Sequence, residues 1–236
     1  MEAPLPEWFA SFAGTGVGTV TRDGFVEPYI GDLRGVHGEP RLVILGLNPG
    51  HYFPEMQSRD GVFADEIRQR GSYSAWAASQ PYHREPWWSF RGGTNVYFTS
   101  RLAFTAAWLG DPTVTFNDLL IFELYPWHST AVTAPIRPPG AIIENFVWQP
   151  VAEISTSHVI AFGKHWAQLA ERLNLPIVAQ LGAGGDDYGS TVPSRAVRVY
   201  RLPSKQLLVI EWHAGSAGPP RRDEAEVLRR VLKTLS

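Results

Sequence analysis

Three apolar runs end on side chains that can do chemistry. Residues 41–47, "RLVILGL", lead into Asn48-Pro49-Gly50 and then His51, Tyr52 and Phe53; residues 119–122, "LLIF", lead into Glu123, with His128 close behind; residues 207–210, "LLVI", lead into Glu211-Trp212-His213 and the loop "AGSAGPPRR". An amide can orient a water molecule, an imidazole can donate to a leaving group, a carboxyl can read a ligand edge, and an aromatic ring offers a stacking face. Each feature also has a plain reading, because Pro-Gly turns commonly end strands and a lone His is more often structural than catalytic. Their shared position is what gives them weight. A parallel sheet brings the carboxyl ends of its strands to one edge, where ligands bind.

Other motifs are weaker. In "GAGGDD", residues 182–187, Asp187 stands where a dinucleotide fingerprint needs its third Gly. In "HAGSAG", residues 213–218, a nucleophile elbow around Ser216 would need Gly where Ala214 stands, which leaves a Ser216 esterase as a minor alternative. The 7 His show no metal-binding spacing, and 0 Cys excludes disulfides, thiolate zinc sites and Cys-ligated iron-sulfur clusters. No metal and no cofactor is expected.

Elements that would position these residues follow from periodicity. Strands are predicted at residues 41–47, 119–125, 158–162, 177–179, 196–202 and 206–212, and helices at 63–70, 95–109, 142–154, 165–173 and 222–235. Alternation of the two predicts βαβ units, hence an α/β fold with helices on both sides of a mainly parallel central sheet, in three layers. Residues 1–40 read as an irregular N-terminal segment with one short helix near residues 7–12, and residues 73–94 lack a clear period. No repeat or linker divides the 236 residues, so a single domain is expected. A net charge of −2 excludes a uniformly basic nucleic-acid coat but permits a local basic patch. With no signal peptide or membrane-length apolar run, the expectation is a cytoplasmic monomer with no membrane contact.

In chain order, these pieces resemble the uracil-DNA glycosylase superfamily. Gly46-Leu47-Asn48-Pro49-Gly50 is similar to its first motif, G-x-[ND]-P-[GY], in the form found in the mismatch-specific and single-strand-selective branches. Residues 158–173, "HVIAFGKHWAQLAERL", are similar to its strand-Gly-helix element. His213-Ala214-Gly215-Ser216-Ala217 resembles its last motif in position and starting His, with Ala214 and Gly215 in place of the usual Pro and Ser. The resemblance spans about residues 41–222.

It implies a uracil-DNA glycosylase-like fold and an enzyme that flips a pyrimidine out of DNA and hydrolyses its N-glycosidic bond. Asn48 would orient water toward an oxocarbenium-like sugar, and His213 would donate to the departing base. Tyr52 or Phe53 would stack on the base, with His51 beside them. Ser216 and the turn at Gly215 would grip phosphates, while Arg221 and Arg222 supply positive charge. The base-reading position, commonly Asn in uracil-removing members, is matched here by Glu123, with Asn117 or His128 as alternatives. An ionised carboxylate would repel O4 of uracil, whereas a protonated one could pair with cytosine. A modified cytosine, such as a hypermodified phage base removed in antiviral defence, is therefore expected over plain uracil. A uracil or mismatch repair glycosylase and a non-catalytic DNA-binding member of the fold remain the alternatives.

Overall fold

The apolar runs become strands. The structure is a computed structural model that describes residues 21, 23–129, 140–181, 196–212 and 222–233. Its described residues form one mixed α/β sheet of seven strands: β1 (Tyr29–Ile30), β2 (Leu42–Gly46), β3 (Leu119–Glu123), β4 (His158–Phe162), β5 (Ile177–Leu181), β6 (Ala196–Arg201) and β7 (Leu207–Trp212). The spatial order is β1-β3-β2-β4-β7-β6-β5. Every residue of β2 and β3 is buried, as strands covered on both faces require.

The parallel part is confined to the centre. Strands β3, β2, β4 and β7 run parallel, whereas β1 pairs antiparallel with β3, and β6 and β5 continue from β7 as antiparallel neighbours. Chain length explains the departure from a more fully parallel sheet. Only residues 202–206 separate β6 from β7, too few for the crossover that parallel pairing needs.

Helices α1 (Pro54–Gln57), α2 (Val62–Arg70), α3 (Tyr73–Ala78), α4 (Trp87–Phe90) and α5 (Val96–Leu109) lie between β2 and β3 in the chain. After β3 come α6, then α7 (Lys164–Arg172) and α8 (Arg222–Leu232). Helix α6 runs through Gly140–Ile143, Glu144–Trp148 and Gln149–Ala152, with the middle part widened into π form. Pro150 lies just beyond that part; it lacks an N–H and its ring crowds the carbonyl of Phe146, so the ordinary ladder cannot pass through it. The 158–173 piece folds as strand, Gly and helix. Gly163 takes φ 103°, a conformation costly for any residue with a Cβ, and its N–H donates to the Glu211 carbonyl of β7.

Two segments depart from expectation. The N-terminal region contains β1 as well as irregular chain, and the short helix near residues 7–12 lies outside the described residues. Residues 73–94 hold α3, a 3-10 turn at Pro81–His83 and α4, and they sink Trp76, Tyr82 and Trp87 into the core. Alternation failed there because short helices packed edge to face need no long period; Phe63, Tyr82 and Trp87 form one ring cluster. No helix among the described residues is long and apolar enough to cross a membrane.

The carboxyl end of β2 is pinned from two directions. The Gly46 carbonyl accepts from the Leu124 N–H at 3.2 Å and from the fully buried Trp166 indole of α7 at 3.0 Å. Trp166→Phe removes the second bond and part of a packed ring, so it should lower unfolding stability by about 1–3 kcal/mol in urea denaturation.

Candidate functional site

At the edge where β2 and β3 end, the structure has a cavity of about 330 Å³. The Pro49-Gly50-His51 turn and Phe53 form one side, the Tyr82–Phe98 region another, and Glu27 and Glu123 also line it. Of the residues singled out in sequence, His51, Phe53 and Glu123 line this cavity. The His51 and Phe53 rings meet edge to face, Phe53 meets Trp87 and Phe90 the same way, and the Arg91 guanidinium lies over Phe53 at 4.5 Å.

Glu123 ends β3 and is paired in register with Gly46 of β2. A side chain there would displace the Glu123 carboxyl. A Cβ on residue 46 would stand 2.4 Å from Glu123 Oε2 and 2.9 Å from its Cδ. The Tyr97 hydroxyl donates to Oε1 at 2.7 Å, while Oε2 is buried with no hydrogen-bond partner. Burial pushes the carboxyl up to about 7; the Tyr97 bond and Arg101 pull it down, Glu27 adds to the rise, and His128 opposes it. Burial also holds the Tyr97 phenol well above its ordinary range, so it stays a donor. The proton of neutral Glu123 accordingly belongs on Oε2.

Glu27 is the second acid, and it is 1% exposed. Both of its oxygens accept from the Tyr82 hydroxyl at 2.6 Å, Gln57 Nε2 approaches at 3.5 Å, and His128 Nε2 lies 2.8 Å away. Gln57 also donates to Tyr82 and accepts from the Phe53 N–H at 2.8 Å, tying the stacking residue to this network. Burial alone would lower the His128 pKa, but the adjacent Glu27 outweighs it and the net shift is upward.

Asn48 stands one residue before the lining turn. Its Nδ2 donates to the Ser129 carbonyl at 3.1 Å and hydroxyl at 2.9 Å, which fixes the amide and leaves Oδ1 as its acceptor. Tyr52, by contrast, is not among the lining residues. Its ring abuts Gly24 and lies 6.0 Å from the His128 ring. Arg222 opens α8, exposed and paired with Glu226. His213, Gly215, Ser216 and Arg221 lie outside the described residues, as does the "GAGGDD" stretch.

Searches of family models and of curated proteins find no match to this chain.

Glu27, Gln57, Tyr82, Trp87 and Tyr97 were not apparent from sequence as site residues. Glu27 sits in a stretch without periodicity, and its role arises from pairing with residues far along the chain. Among the described residues, no group of three His, Asp or Glu side chains is placed to hold a metal ion.

A carboxyl raised on folding makes stability depend on pH. The contribution is present in full below the unfolded value, 4.5, and is lost as pH rises toward the folded value of about 7, a loss of about 3 kcal/mol. Glu123→Gln cannot ionise. Wild-type stability should thus fall relative to that variant between these two pH values, as measured by denaturation at fixed temperature.

Proposed function

We propose that the protein is a DNA glycosylase whose cavity receives a flipped pyrimidine, and that its substrate is a modified cytosine in preference to uracil. The observation that carries this reading is Glu123, a buried carboxyl with one oxygen held by Tyr97 and the other unpartnered, in a cavity lined by Phe53 and Trp87. A neutral Glu123 donates through Oε2 to N3 of cytosine, an acceptor, where uracil presents an N3–H instead. Eight ring and substituent atoms of cytosine fill roughly a third of the 330 Å³ at protein packing density, which leaves space for an enlarged base. Phe53, steadied by Trp87 and Arg91, supplies the stacking face. A uracil-DNA glycosylase-like architecture accords with the parallel centre of the sheet and with the Gly46–Gly50 turn at its edge.

Chemistry then needs little more than placement. The C1′–N1 bond breaks with its electron pair leaving on the base, and water adds to C1′ of the oxocarbenium-like sugar while its proton passes to the departing base anion. Asn48 Oδ1, oriented by Ser129, accepts from that water. His213 donates to the departing pyrimidine. The product is an abasic site.

The test uses duplex and single-stranded oligonucleotides carrying uracil, a thymine mismatch, 5-hydroxymethylcytosine or its glycosylated form, with alkali to reveal abasic sites. Cleavage is expected chiefly with a modified cytosine. Asn48→Ala and His213→Ala should each lower single-turnover rate by about two powers of ten, Phe53→Ala should weaken substrate capture, and Glu123→Asn should shift activity toward uracil. Efficient uracil removal that Glu123→Gln leaves untouched would return the protein to ordinary uracil repair. Absence of abasic product from every substrate would leave a DNA-binding member without catalysis.

A further inference from the structure

Arg101 poses a question that the cavity lining does not answer. It lies on α5, is 5% exposed, and among the described residues has no carboxylate within ion-pairing distance. Its Nε is buried without a hydrogen-bond partner. Taking a guanidinium out of water is costly unless something compensates its charge. What compensates it here is one turn away: its carbon sits 3.3 Å from the centroid of the Tyr97 ring, and Nη1 donates to the Tyr97 carbonyl at 2.8 Å. The hydroxyl at the far end of that ring is the group that donates to Glu123 Oε1.

We propose that Arg101, outside the cavity, is a positioning residue whose guanidinium locks Tyr97 and, through it, sets the orientation and charge of Glu123. The i to i+4 spacing of Tyr97 and Arg101 stacks the cation on the ring, so the ring cannot turn away without uncovering it. With Oε1 held by Tyr97, the oxygen left for a ligand is Oε2. Burial favours the neutral form of Glu123 most strongly, and four groups from three places act on it besides: Tyr97 and Arg101 on α5 and His128 after β3 favour its ionised form, while Glu27 ahead of β1 favours the neutral one. Arg101 therefore opposes Glu27. Burial sets the carboxyl high and Arg101 draws it back, and this deepens the base-reading role proposed above and rests on it.

The experiment follows the Glu123 carboxyl by carbon-13 NMR in the full chain labelled at glutamate side chains, with Glu123→Gln to assign the signal and no nucleic acid present. Arg101→Met should raise the titration midpoint by about one pH unit, because removal of a cation disfavours the carboxylate. Arg101→Lys should move it less, and Tyr97→Phe should raise it by removing the bond to Oε1. Excision of the best substrate, measured in parallel, should keep its activity to correspondingly higher pH in Arg101→Met. A midpoint in Arg101→Met that coincides with wild type overturns the proposal; should that variant not fold, an unmoved midpoint in Tyr97→Phe overturns it equally. If the midpoints move while the pH profile of excision stays fixed, the relay stands and the base-reading role of Glu123 falls.

Discussion

A carboxyl group buried at the end of a central strand must either stay neutral or find a partner, and the architecture around this cavity follows from that constraint. Glu123 meets it by half measures: one oxygen receives the Tyr97 hydroxyl and the other receives nothing. Burial shifts such a carboxyl toward its neutral form, which needs fewer donors than the ionised one. Its geometry in turn bears on the residue opposite, since a Cβ on residue 46 would stand 2.4 Å from Oε2 and push the carboxyl aside. The Gly that opens the Gly-Leu-Asn-Pro-Gly turn thus serves the neighbouring strand as much as the turn itself.

Glu27 solves the same problem in the opposite manner. It collects donors from Tyr82, Gln57 and His128, so that its oxygens are partnered despite their burial. Two acids thus line one cavity, one rich in donors and the other with an oxygen left open to a ligand.

How much of this was legible beforehand depended on whether a residue's role is set locally. Six strands were readable because apolar runs of five or so residues leave few choices, and the His158–Phe162 strand matches its expected bounds. Glu123 and Phe53 were visible as candidates because each directly follows such a run or its turn. Strand direction was less accessible: the short 202–206 connection carried the signal that β6 must turn back, and it was outweighed by the general alternation of elements. Glu27 and Arg101 could not be read at all. A buried acid in aperiodic chain and a cation within a helix both look like solvent-exposed residues until the fold shows what covers them.

The network around Glu27 also bears on the order in which the molecule assembles. Its bond to His128 closes over 101 residues, and the one between Asn48 and Ser129 closes over 81. Contacts of such long sequence separation demand loop closure before they give anything back, and they form after local helices and adjacent turns. During synthesis the N-terminal acid must wait, unpartnered and hydrated, until the third strand and the loop beyond it have emerged. The cavity thus cannot be complete until residues 101 positions apart have met.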